Sequence, residues 1–225
     1  MSGKLLQTGA ASFGLQLSEK EIASFIVYLT ELQRWNRSFN LTALKNSDEI
    51  IIKHFVDSLS LVPLLNKGEH LLDVGSGAGL PGLAVAILRK DVTVTTLDAV
   101  AKKIGFQRHI CRKLGLCNVT AVHQRVEHHL KENPEFYSVV TSRAFKDLSR
   151  FSQLAGGLVK PGGRLIAMAA DTGESDFTQW TTAGAFTVQE SINYSLPEGM
   201  GSRKLIVLSK PIENNQLFRW SLQMA

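Results

Sequence analysis

The chain changes hydrophobic period part-way along. From Ser18, the apolar residues Ile22, Phe25, Ile26, Leu29, Leu32 and Trp35 recur every three or four positions, and Ser18-Glu19-Lys20-Glu21 has the residues of a capping box. That spacing predicts an amphipathic helix over roughly 18–36. Another helix can start at Ser47-Asp48, with Ile51, Phe55, Leu59 and Val62 on one stripe and Pro63 at its end. The first 65 residues or so therefore read as helical. From His70 onward, short apolar runs alternate with helical patterns. Strands are expected near 70–74, 92–97, 119–123, 136–142, 163–169, 184–191 and 203–209, and helices near 81–90, 100–114, 126–131, 147–159 and 174–181. Strands separated by helices imply an α/β domain with a mostly parallel seven-stranded sheet and right-handed crossovers. Only a Gly/Ser/Pro-containing stretch separates the last two strands, so an antiparallel, hairpin-like ending is expected. The organisation expected is a helical extension (1–66), the α/β domain (67–210) and a tail (211–225).

The first strand runs into Asp73 and then a loop with Gly75, Gly77 and Gly79, followed by Leu80-Pro81-Gly82; the second ends on Asp98. Glycines allow positive φ and close backbone approach to a ligand, and a carboxylate after the next strand can accept bonds from ribose hydroxyls. Two readings compete. Gly77 to Gly82 satisfies the dinucleotide pattern G-x-G-x-x-G, whereas Asp73 to Gly79 satisfies the acidic G-x-G-x-G of S-adenosylmethionine (SAM) binders. The dinucleotide pattern would open three residues beyond Val74, too late. Asp73 suits the ammonium of a methionine moiety and would repel a pyrophosphate. Gln124-Arg125-Val126-Glu127, after the third strand, puts polar groups where an adenine edge could be read. These points favour SAM.

Composition changes this picture little. The chain has 225 residues, 44% of them hydrophobic and 20% charged, as in soluble globular domains. No apolar run approaches the ~20 residues of a membrane span, and the first residues lack the apolar stretch of a secretory signal. Cys111 and Cys117 match no metal or redox spacing and read as reduced, which suits the cytoplasm. The net charge of +5 leans toward an anionic partner such as nucleic acid. His123, His128 and His129 lack a third ligand at metal-binding spacing, so no metal is expected.

Several blocks, in order over about residues 15–210, resemble the RsmG (GidB) family of class I SAM-dependent methyltransferases of small-subunit ribosomal RNA. They are Trp35-Asn36-Arg37-Ser38-Phe39-Asn40-Leu41-Thr42, His54-Phe55-Val56-Asp57-Ser58, Asp73 to Gly82, Asp98 with Lys102 and Lys103, Arg125-Val126-Glu127, and Ser142-Arg143-Ala144-Phe145. The resemblance implies a Rossmann-like fold and methyl transfer to N7 of a guanine in 16S rRNA, with the small subunit as partner; apart from the resemblance, no membrane association and a monomeric chain are expected, although no feature of the sequence reports oligomeric state. By position it implies cofactor contacts at Gly75, Leu80, Val126, Glu127 and Arg143, with Asp98 at the ribose. Asp73, Gly77 and Gly79 join this set from the loop pattern, and Arg143 is the candidate for positioning substrate and cofactor. The sequence departs from the family at Ala169-Ala170, where a Lys-Gly pair is usual, and in a longer C-terminal tail.

The chemistry agrees. Guanine N7 carries an exposed lone pair and a sulfonium methyl is already activated, so alignment suffices and no general base is needed. Neither cysteine lies near the strand ends, where a nucleophile would act. Asn133-Pro134-Glu135-Phe136 resembles the motif of exocyclic-amine enzymes but precedes its strand, and reads as a turn. His54 and Asn40 are further pocket candidates, and Phe145 is either core or a base-stacking group. Arg37, Lys53, Arg143, Lys146 and Arg150 are best placed for phosphates; Lys102, His109 and Lys113 share a helical stripe, with Arg108 and Arg112 beside it. Two alternatives stay open: a SAM-binding ribosome-assembly module without turnover, and a methyltransferase with another RNA or a small-molecule substrate.

Overall fold

A computed structural model describes residues 2–143, 148–170 and 186–212, with 148–151 as backbone only. The expected helix at 174–181, Phe145, Lys146, the Arg150 side chain and most of the tail lie outside the described residues.

The chain begins with α1 (Ser2–Ala11) and α2 (Glu19–Phe39). Ser18 caps α2 as expected: its side chain accepts from the Glu21 N–H while Glu21 binds the Ser18 N–H. Asn40 ends the helix in the left-handed conformation (φ 48°). α1 was not legible, because its apolar residues are sparse and Gly3 and Gly9 weaken its propensity. Gly9 earns its place by contact: a Cβ there would collide with Val56.

The helix expected from Ser47 to Pro63 is not continuous. It runs as α3 (Ser47–Ile50), a π-helical segment (Ile51–Val56), α4 (Asp57–Leu59) and a 3-10 turn (Val62–Leu64). The apolar stripe was read correctly, with Ile51, Phe55, Leu59 and Val62 all buried, but its period does not distinguish α from π winding.

Then come β1 (His70–Val74), α5 (Gly82–Leu88), β2 (Thr93–Asp98), α6 (Ala101–Leu114), β3 (Val119–His123), α7 (Val126–Glu132), β4 (Tyr137–Arg143), α8 (Leu148–Ala155), β5 (Val159–Ala170), β6 (Thr187–Ser195) and β7 (Ser202–Ser209). Among the described residues these strands form one seven-stranded sheet in the order β3-β2-β1-β4-β5-β7-β6. β1 to β5 pair in parallel, and β7 runs antiparallel to both β5 and β6. The expected mostly parallel sheet with a hairpin ending is thus what forms. β1 and β4 flank the point where strand order reverses, which is where open α/β sheets bind ligands.

The extension and one face of the sheet share a continuous core, from Leu6 and Phe25 through Phe55 and Phe106 to Val207. Phe55 is its hub, with ring centroids 5.2 Å from Phe25 and 5.1 Å from Tyr28. Among the described residues no helix is long and apolar enough to cross a membrane. Phe55→Ala should lower the unfolding free energy by about 3–5 kcal/mol. Denaturant unfolding followed by far-UV signal and by tryptophan fluorescence should give coincident transitions; separate midpoints would show that the extension unfolds independently.

Candidate active site

The carboxyl ends of β1, β2 and β4 bring the main candidates to one edge. Asp73, the fourth residue of β1, is fully enclosed, and its Oδ2 accepts the Gly82 N–H at 2.8 Å. Its Oδ1 has no hydrogen-bond partner among the described residues. Burial pushes the Asp73 carboxyl up to about 7, against the Gly82 bond and the Arg143 charge, which favour ionisation.

The loop between Asp73 and Gly82 is held at several points. Gly75 and Ser76 donate their N–H groups to Leu97 O at 2.8 and 3.0 Å. Gln107, buried on α6, donates Nε2 to both Ser76 Oγ and Gly77 O. Tyr28 of α2 donates its hydroxyl to Ala78 O. Neither Tyr28 nor Gln107 was legible as a loop partner; each reads as one more residue of an amphipathic helix.

The three loop glycines all have positive φ but serve differently. A Cβ on Gly75 would meet nothing within 4 Å, and one on Gly77 only Gly75 O at 3.9 Å, so their backbone faces open space. Gly79 faces inward, where a Cβ would come within 2.5 Å of Leu83 and 3.0 Å of the Tyr28 hydroxyl. Leu80 is buried, and its bond to Pro81 is cis. Asp98 accepts the Gly77 N–H on Oδ2 and the Val100 N–H on Oδ1, each at 2.9 Å, with Lys103 Nζ at 3.5 Å. It therefore organises the loop and the entry to α6 together. At the start of α7, Val126 packs against the sheet and Glu127 is exposed. The Gln124 N–H ties this turn to Asp98 O.

Arg143, at the end of β4, turns toward the extension. Its Nη1 donates to Lys53 O at 3.2 Å and lies 3.7 Å from Asp57 Oδ2. It lines a cavity of about 430 Å³ with Thr42, Lys53, His54, Asp57, Met168 and Arg203. Ala169 and Ala170, the departure from the family pattern, form part of its wall. His54 Nε2 meets Thr42 Oγ1 at 2.7 Å and Nδ1 meets Lys53 O at 3.2 Å. Burial, then the Arg143 charge, lowers the His54 ring to about 3, so it is neutral and shapes the wall. Asn40 lines a different cavity, of about 520 Å³, with Asn36, Arg37 and Lys45.

On the helical basic stripe, His109 and the exposed Lys113 lie 2.9 and 3.1 Å from the buried Glu31 carboxylate, and Arg108 donates to Ala121 O. Cys111 sits on α6, where burial raises its thiol to about 11. His129 Nε2 meets the Tyr137 hydroxyl at 2.7 Å, and the Asn133–Phe136 segment is the turn before β4.

A model of the family described as GidB, rRNA small subunit methyltransferase G, matches residues 21–206. The chain belongs to that family. It is 39% identical to a ribosomal RNA small subunit methyltransferase G of Geotalea uraniireducens over 212 residues, covering 92% of this chain and 96% of that one. A protein of the same name from Cupriavidus pinatubonensis is 37% identical over 219 residues, covering 91% and 92%. Among solved structures, TrmN from Thermus thermophilus superposes with a TM-score of 0.56 at 20% identity, over 69% of this chain and 48% of that one. A SAM-dependent methyltransferase from Aquifex aeolicus superposes at 0.55 and 16% identity, over 75% and 96%. Both share the Rossmann-like fold.

The residues present fit SAM. The open backbone at Gly75 and Gly77 gives close approach, and the unpartnered Asp73 oxygen suits a cation. Without a ligand, a carboxyl raised to about 7 costs stability as pH rises: the folded state holds a proton that the unfolded state has lost above about 4, and the penalty is complete above about 7. Asp73→Asn should therefore stabilise the ligand-free protein at pH 8 and gain almost nothing at pH 4. Paired chemical denaturations at the two pH values check this; a gain independent of pH would contradict it.

Proposed function

We propose that this protein transfers a methyl group from SAM to N7 of a guanine in 16S rRNA within the small ribosomal subunit. The observation that carries the reading is the position of Arg143. It ends β4, the strand beside β1 and its Asp73, its charge acts on Asp73, and its guanidinium lines the cavity that the extension closes. One residue thus joins a cofactor cradle to a cationic pocket.

When bound, SAM supplies an activated methyl on a sulfonium. The backbone at Gly75 and Gly77 lies against it, with Gly79 and Leu80 setting the loop's shape. Asp73 holds the ammonium. Asp98 offers ribose hydroxyls the lone pairs left over from its two backbone bonds. Val126 and Glu127 border the adenine from the turn after β3. Arg143 and the residues around it orient the guanine and exclude water. Guanine N7 needs no proton removed before it attacks, so the protein's task is alignment and a dry, preorganised field. Residues 1–66 serve residues 67–210 by walling the pocket, and the chain works as a monomer in the cytoplasm.

Purified protein, methyl-labelled SAM and small subunits lacking the modification should yield labelled 7-methylguanosine, identified by mass spectrometry. Asp98→Ala should weaken SAM binding at least tenfold by calorimetry, about 1.4 kcal/mol. Tight SAM binding with no label in RNA would sink the rRNA reading in favour of another substrate or a non-catalytic assembly module.

A further inference from the structure

In the block His54-Phe55-Val56-Asp57-Ser58, His54 is a neutral ring in the cavity wall and Phe55 is core. Asp57 of the same block is a carboxylate 3% exposed at the start of α4. Three groups from distant elements converge on it: Arg143 at 3.7 Å, Arg203 Nε of β7 at 3.5 Å, and the Tyr194 hydroxyl of β6, which donates to Oδ1 at 3.0 Å. Tyr194 is itself fixed by Ser60 Oγ at 3.0 Å.

The π-helical segment makes this possible. The Asp57 N–H goes to Ile52 O and His54 O, and not to Lys53 O, its partner in an unbroken α-helix. Lys53 O instead accepts the Arg143 guanidinium. π-turns of this kind cluster at functional sites. Both ion pairs exceed hydrogen-bond length, so neither guanidinium is used up by Asp57. Both arginines line the 430 Å³ cavity, whose other wall is Met168, Ala169 and Ala170. Lys53 is taken by Glu49 at 2.6 Å.

We propose that Asp57 is a positioning residue that holds Arg143 and Arg203 as a pair, and that the pair grips one phosphate flanking the target guanine. The inference rests on the reading above of this cavity as the substrate site. Two guanidiniums share one carboxylate, which leaves an excess positive charge; one arm of each is held by the backbone, Arg143 Nη1 on Lys53 O and Arg203 Nη1 on Ser202 O, and among the described residues the Nη2 groups are the donors that remain for a ligand. Such donors match a phosphate, and the apolar wall suits a base.

The test separates positioning from neutralisation by sign. Asp57→Asn keeps the shape and removes the charge. If Asp57 only offset the arginines, the variant would bind RNA more tightly. Because it positions them, the KM for small subunits should rise at least tenfold and kcat should change less. Arg203→Met, at a side chain 22% exposed, should also raise KM and reduce the salt slope of RNA affinity by about one. This second variant decides the matter if Asp57→Asn does not fold. A readout independent of methylation is binding of guanosine 3′,5′-bisphosphate against guanosine, by NMR titration of the full chain. The wild type should prefer the bisphosphate, and both variants should lose that preference. Equal affinities in the wild type, or an unchanged or lower KM in Asp57→Asn, would overturn the proposal. A preference retained by a protein that methylates no subunit would keep the phosphate grip and remove the rRNA reading.

Discussion

The enclosed carboxylate of Asp73 is the constraint around which the site is built. One oxygen takes the Gly82 N–H, closing the excursion from Gly75 to Pro81 and seating α5 against β1. The closure is tight enough that a Cβ on Gly82 would meet Thr96 at 2.7 Å and Asp73 Oδ2 at 3.0 Å. The other oxygen has no hydrogen-bond partner among the described residues and is enclosed, which is expensive for a charged group. The raised pKa expresses that cost, and a cation delivered to the same place relieves it. The feature that shapes the loop is therefore also the one that prepares it for an ammonium group.

Such a loop holds its conformation only if supported from outside, and here the helical extension does much of the supporting. Tyr28 reaches Ala78 from α2, and Gln107 reaches Ser76 and Gly77 from α6. The two helices are joined by Glu31, which gathers Arg34, His109 and Lys113. Trp35 stacks between Phe106 and His109 on the same seam. A perturbation of α2 would reach the glycine loop through one hydrogen bond, so cofactor cradle and extension are mechanically one unit.

What was legible in the sequence follows from the range of the interactions. The first four strands, Asp98 and the Ser18 cap form within a residue of where the pattern placed them, whereas β5 begins at Val159 rather than 163, ahead of the Pro161-Gly162-Gly163 segment, and β6 spans Thr187–Ser195 rather than 184–191. The π-segment was hidden because Ile51, Phe55 and Leu59 lie on one stripe under either winding. The roles of His109 and Lys113 were hidden because a cation facing solvent and one facing a buried Glu31 look alike in sequence. The Asp57 cluster was hidden for a further reason. Arg203 and Tyr194 come from strands far along the chain, and only the return of β7 between β5 and β6 brings them to the extension.

The same accounting changes how the net charge bears on RNA. A charge of +5 is a weak argument for the whole chain, since it does not say where the cations that lack a nearby carboxylate lie. Arg164 is tied to Glu69 and Leu64 O, Arg89 to Asp91, Lys210 to Glu135, and His109 and Lys113 to Glu31. At the mouth of the cavity lined by Arg143 and Arg203, two guanidiniums share a single carboxylate that burial already disfavours as an ion. Charges beside an apolar wall are less screened than the same charges on an open face, and a concave site focuses their field. Among the described residues, this cavity therefore makes the stronger electrostatic case for an anionic substrate, because its positive charge exceeds the one carboxylate beside it and is fixed in direction.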